Sequence, residues 1–427
     1  MWFDGEWHLF FQHHPDSDVW GPMHWGHAVS ADLFHWEELP IALFPDPTLG
    51  TVFSGSAIAD GHRLVALFTH HGGTSSTQKQ SLAISEDRGR TWSLHDGNPV
   101  IDNPGIRDFR DPKLFRHGDG WIAVLAAGDH VAIYRSDDLL RWTWASDFGP
   151  EGLEGGVWEC PDLFPLIDEA GEERWILKVD VNPGAPNGGS GGAWFLGHFD
   201  GGQFRGSHRG FFDAGADFYA AQSWSGTPDG RHLWIGWMNN WLYGQKTPTV
   251  GWRGAMTLPR EVFLRGTGSK ALLAQRPVSE LESRRGETLF DLRDLAVDGR
   301  LDLPDGEVFD LQLDATPLQE KIEVVVRAGD RDETRIGYVD GRLFVDRTQS
   351  GESGFSDGFA ARHEVACVLD GELLALRIVV DRCSVEVFAQ HGTVVFTELI
   401  FPDPTSRGLR IESSGAVSIH RLRAFSC

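Results

Sequence analysis

The chain has 427 residues, 41% hydrophobic and 23% charged, enough for two domains and a large core. Its formal net charge of -24 repels phosphate backbones and anionic lipid, so no nucleic acid and no membrane is expected as a partner. No apolar run approaches the roughly 18 to 20 residues of a membrane-spanning helix, and Cys160, Cys367, Cys383 and Cys427 show neither metal spacing nor a disulfide framework, leaving only Cys367 and Cys383 as a conceivable pair.

Taken in chain order, the sequence repeats. Asp-Gly pairs, strong formers of tight hairpin turns, stand at Asp4-Gly5, Asp60-Gly61, Asp119-Gly120 and Asp229-Gly230, with a looser version from Asp168 to Gly171. Each precedes a strand-like run: residues 7–11, 64–68, 121–125, 175–179 and 233–237. A second signal follows the hairpins. Ser30 and Asp32 before Trp36, Ser85 and Asp87 before Trp92, and Ser136 and Asp138 before Trp142 give a polar turn whose side chains bond the backbone locally, then a Trp to fill the space between neighbouring sheets. Five units of roughly 50 to 60 residues match four-stranded propeller blades. The fold expected is all-β: a five-bladed β-propeller over residues 1–274, a linker with a helical turn over 275–287, and a β-sandwich over 288–427. The sandwich is expected from short alternating strands at 322–326, 374–380 and 384–388 with turns at Asp340-Gly341 and Asp370-Gly371. It reads as a support or a surface for homo-oligomer formation.

The chemistry concentrates in two blocks, Arg110-Asp111-Pro112-Lys113-Leu114-Phe115 and Trp158-Glu159-Cys160-Pro161-Asp162-Leu163-Phe164. Each is a carboxylate, a proline and an apolar run, placed just before a hairpin. In a propeller that position is the innermost strand, lining the axis. The same slot holds Phe53-Ser54-Gly55-Ser56 in the second unit and Asp217-Phe218-Tyr219 in the fifth, so Ser54, Asp111, Glu159 and Asp217 are expected to converge on one cavity. Two carboxylates at matching positions suit acid/base and nucleophilic chemistry on a sugar, and 17 Trp beside 27 Phe and 4 Tyr offer stacking surfaces or a strand core. By the same rule the inner strand of the first unit is expected to lie before Met1, so the chain as given is expected to start inside blade one. No metal or cofactor is suggested: pairs such as His13-His14 and His70-His71 lack ligand spacing.

These blocks resemble glycoside hydrolase family 32, the β-fructofuranosidases, and its levanases and exo-inulinases in particular. The resemblance runs through Trp2-Phe3-Asp4-Gly5-Glu6-Trp7-His8-Leu9-Phe10-Phe11-Gln12, Trp20-Gly21-Pro22-Met23-His24-Trp25-Gly26-His27-Ala28, the Phe53 and Arg110 blocks, Glu159-Cys160 and Asp381-Arg382-Cys383-Ser384-Val385-Glu386-Val387-Phe388. It implies Glu159 as general acid/base and Asp111 as the carboxylate that binds fructose hydroxyls and stabilises the transition state, with Arg110 holding both. It further implies a fructose pocket lined by Gln12, Trp20, Phe53 and Ser54, an apolar wall from Trp237 or Trp241, and Cys160 beside the acid, either tuning it or as an inert buried thiol. The family's nucleophile is the Asp of an Asn-Asp-Pro motif on the first inner strand; its equivalent is expected upstream of Met1, and the chain from Met1 is expected to be impaired. The substrates implied are fructans (levan, inulin) and, to a lesser degree, sucrose, since Asp180-Val181-Asn182-Pro183-Gly184 resembles the levanase type. The alternatives are a fructosyltransferase on the same fold, an inverting arabinanase-like glycosidase, against which Glu159-Cys160 and the sandwich motif argue, and an inactive fructan-binding module.

Overall fold

Residues 1–72 and 77–427 are described by the structure, a computed structural model. Five four-stranded antiparallel sheets succeed one another, and two six-stranded sheets complete the chain. The chain is therefore a β-propeller followed by a β-sandwich.

The local repeat explains why the sheets form where they do. Asp32 accepts from the backbone N–H groups of Phe34 and His35, and the Trp36 indole donates to the Leu33 carbonyl at 3.0 Å. The same closure recurs from Trp92 to Gly89 and from Trp142 to Leu139. At the turn, Leu33, Gly89 and Leu139 all have left-handed backbone, with φ of 68°, 82° and 68°. The tryptophans then pack across sheet boundaries: Trp36 stacks on Trp224, and Trp92 meets Phe10 edge-on.

The ring closes between the first and last sheets. Trp2 N–H donates to the Ser225 carbonyl, the Trp224 indole donates to the His8 carbonyl, and Trp7 packs on Trp224. The repeat places the inner strand of blade one before Met1, but Trp2–Phe3 already forms a strand that pairs with Glu6 and Trp7. The reason is the turn. Asp4 and Gly5, at φ 47° and 87°, close a two-residue hairpin, so strand must directly precede it. The other inner strands are Thr51–Asp60, Phe109–His117, Val157–Ile167 and Tyr219–Ser223.

The fifth sheet runs on to Pro277 through the strand Leu272–Pro277, further than the expected boundary at 274. Gln275 is drawn into the sheet because its buried side chain accepts from Trp234 and Arg260. A 3-10 turn, Ser279–Arg284, then leads to the sandwich. The sandwich core lies between its two sheets, with Leu311, Leu313, Ile378, Val385 and Val387 on one side and Val324, Val326, Ile336, Val345 and Ile411 on the other.

Two buried arginines join the domains. Arg260 pairs with Asp213 of the propeller and Glu386 of the sandwich, and Arg347 of the sandwich pairs with Asp217 and Glu398. Backbone bonds from Ala214 and Asp217 to Val395 and Thr397 run between them. Asp217 is thereby removed from the expected axial cluster. It also accepts from the Tyr243 hydroxyl and the Leu399 N–H. An acidic residue two positions short of the inner strand turns outward to the sandwich cation rather than inward to the axis.

Candidate active site

Each of the four inner strands after the first carries a β-bulge at the same height. The register slips between Val52 and Gly55, between Arg110 and Lys113, between Glu159 and Asp162, and between Tyr219 and Gln222. A bulge kinks the strand and re-aims side chains. Asp111, Cys160 and Ala220, each the second residue of its slip, have φ of 60°, 47° and 52°. This register corrects the expected equivalence of the two carboxylates. Glu159 matches Arg110 and Tyr219, while Asp111 matches Cys160. The blocks are alike in composition but offset by one residue.

The offset creates the contacts. Arg110 Nη2 donates to Glu159 Oε1 at 3.1 Å, and its Nη1 donates to Asp108 at 2.8 Å. Glu159 Oε2 accepts from the Tyr219 hydroxyl. The Cys160 N–H donates to Asp111 Oδ2 at 2.9 Å, and the thiol lies 3.6 Å from the same oxygen. Asp111 N–H donates to Thr69 Oγ1, and Gln78 and Gln80 fix both backbone groups of Phe109. Blade two thus holds the start of the blade-three inner strand.

Electrostatics follow from burial. Burial raises the Glu159 carboxyl above its ordinary value and the Asp111 charge adds to this, against Arg110 and the Tyr219 hydrogen bond. Burial opposes the Arg110 charge, but Asp111 and Glu159 outweigh it and hold the guanidinium firmly protonated. The Cys160 thiol, raised by burial and then by Asp111, stays neutral. It touches Asp111 rather than Glu159.

The remaining expected residues join this centre through rings and strands. Phe53 and Ser54 occupy the blade-two bulge; Phe53 lies 4.8 Å from His71 and 5.7 Å from Trp20, centroid to centroid. Trp20 is half-exposed, its N–H bonded to Gln245. Gln12 pairs in register with Trp25, whose indole donates to the Phe53 carbonyl, and Gln12 Nε2 is buried without a partner among the described residues. Trp237 pairs in register with Tyr219, and Trp241 lies 5.1 Å beyond it, so both tryptophans continue the wall on the Tyr219 side.

Family models match the chain end to end: the glycosyl hydrolases family 32 N-terminal domain over residues 1–277 and the family 32 C terminal over residues 278–426. The chain belongs to glycosyl hydrolase family 32. A levanase of Bacillus subtilis (strain 168) is 42% identical, covering 99% of this chain and 67% of that protein. A levanase of Bacillus sp. (strain L7) is 37% identical over 99% of this chain and 50% of its own length. The chain thus spans between half and two thirds of these two relatives. The crystal structure of exo-inulinase from Aspergillus awamori superposes with a TM-score of 0.94 at 35% identity, covering all of this chain and 94% of that one.

Sequence reasoning gave no site role to Tyr219, Lys178 or Asp180. Tyr219 was visible beside Asp217, but only the bulge register shows that it is the residue equivalent to Glu159. Lys178 and Asp180, on the second strand of blade four, carried no repeat signal at all.

Proposed function

We propose that this chain carries the site of a retaining glycosidase that releases terminal fructose from levan or inulin, with sucrose as a lesser substrate. The observation that carries the reading is the Glu159 arrangement: a partly buried carboxyl raised by its surroundings, beside an Asp111 fixed by the Cys160 N–H. A general acid must hold its proton near the working pH. Glu159 donates that proton to the leaving oxygen as the glycosidic bond breaks. Asp111 faces positive charge developing on the fructosyl ring. Tyr219 serves both states of Glu159, because a hydroxyl donates to the carboxylate and accepts from the acid. In the retaining route a second carboxylate attacks the anomeric carbon to form the fructosyl-enzyme, which water then opens with Glu159 as base.

The test measures fructose release from levan, inulin and sucrose. Glu159→Gln should cut turnover by about 10² to 10⁴-fold while sugar binding persists. A rate within tenfold of the parent would remove Glu159 from the mechanism. Sugar binding without turnover would favour the fructan-binding reading.

A further inference from the structure

Behind the Glu159–Cys160 peptide lies a buried ion pair that the proposed chemistry leaves unused. Lys178 and Asp180 are both 0% exposed and bonded to each other. In register, Glu159 opposes Asp180 and Asp162 opposes Lys178, so the pair spans the blade-four bulge. Lys178 Nζ also donates to the Cys160 carbonyl at 2.9 Å and the Ala221 carbonyl at 2.6 Å, tying the bulges of blades four and five together. Asp180 Oδ1 is buried and has no partner among the described residues.

We propose that Asp180 is a second proton site coupled to Glu159, and that with Lys178 it positions the acid and sets its affinity for a proton. The proposal rests on the reading of Glu159 as the acid. Three carboxylates, Asp111, Glu159 and Asp180, face two cations, Arg110 and Lys178. The other groups packed around them change this count little. Tyr219 and Cys160 are held neutral, both raised by burial first. Burial and then Arg110 lower His71 below its ordinary value, against Asp108. Lys113 and Asp162 balance each other in a buried pair, and the partly exposed Asp108 shares Arg110 and so adds to the negative side. With every carboxylate ionised the cluster carries at least one excess negative charge, which a buried site disfavours. One proton relieves this, and Glu159 and the orphaned Oδ1 of Asp180 are its two seats. Burial pushes Asp180 up to about 7, with Glu159 and Asp111 adding to it and Lys178 opposing. The ionised Asp180 in turn keeps the proton on Glu159. Two groups so linked titrate as a pair.

The experiment follows the carboxyl stretch of the full chain by difference infrared spectroscopy between about pH 4 and 8, a span that covers raised carboxyls. Glu159→Gln and Asp180→Asn should each delete one buried carboxyl band. Each should also move the surviving partner's titration to lower pH, by about one unit. The effect in Asp180→Asn arises because a negative charge is lost and Lys178 is left uncompensated. The double variant Lys178→Met/Asp180→Asn rebalances the charge and should return the Glu159 titration towards the parent. The band of Asp213, raised to about 6 elsewhere in the fold, should not move and serves as the control. A Glu159 titration unchanged in Asp180→Asn overturns the proposal, as does an Asp180 band unaffected by Glu159→Gln. If Asp180→Asn does not fold, the Glu159→Gln spectrum decides alone. No substrate is needed, so coupled titrations without any fructose release would sink the proposed function and leave this inference standing.

Discussion

Tyr219 illustrates how one hydroxyl sets the working range of an acid. It donates to Glu159, and that bond favours the ionised form, against burial and Asp111. Tyr219→Phe removes a hydrogen bond to a charged group, worth about 1.5 to 3 kcal/mol, of which about one pKa unit should appear at the acid. The sign is fixed: Glu159 then keeps its proton to higher pH. The alkaline limb of kcat should move up by about one pH unit. A downward move, or none, would show that Tyr219 does not bear on the acid. Cys160 is different. Its N–H holds Asp111, a role that any non-proline residue able to adopt φ 47° fulfils, so Cys160→Ser should disturb turnover less than Tyr219→Phe.

At the scale of elements, turns and bulges differ in how far they can be read from sequence. The Ser-x-Asp turns are closed by side chains within five residues, and they stand out in the sequence for that reason. Even their strain follows a local balance. Leu33 and Leu139 in left-handed backbone cost roughly 1 to 2 kcal/mol each, but both are almost fully buried, which contributes about 1.5 to 3 kcal/mol. Gly89 takes the third such position without strain. The bulges carry no such signal. Cys160 and Ala220 are not residues that announce positive φ, and Asp111 alone is too weak a signal, so the one-residue offset between Asp111 and Glu159 is hidden in the sequence. Asp217 misled because its partner Arg347 lies 130 residues away. That partnership makes its own prediction. Arg347 is fully buried with Asp217 and Glu398, so Arg347→Met strands two carboxylates in the interface. Losing one partner of a buried pair costs about 3 to 5 kcal/mol. Denaturant unfolding should register a loss of that size, whereas Arg205→Ala, at an exposed pair with Asp200, should cost less than about 1 kcal/mol. Equal effects would mean that the interface network is not what holds sandwich to propeller.

The whole molecule gathers buried titratable groups of both kinds, and their balance sets its response to pH. Burial lowers His8 to about 3 and His27, His70 and His232 to about 4. An unfolded histidine takes its proton near pH 6.5. Between about pH 6.5 and 4 the unfolded chain therefore binds protons that the native histidines refuse, and stability falls as pH falls. Asp180 and Asp213 act in the opposite sense. Raised to about 7 and about 6, they hold protons in the native state that unfolded carboxyls have released, so their contribution is full at low pH and lost as pH rises through those values. Four histidines outnumber the raised carboxyls Asp180, Asp213 and Glu159, so unfolding near pH 5 takes up protons. Above about pH 6.5 the histidine contribution is exhausted, and the remaining ionisation of Asp180 is opposed by the Met1 amine, which burial lowers. The melting temperature should thus climb from pH 4.5 and level off at about pH 6.5. Asp213→Asn should steepen the acid limb, because it removes one opposing group and leaves the histidines in place. A melting temperature that is flat or rises on acidification from pH 6 to 5 would mean that the buried histidines are protonated in the native fold.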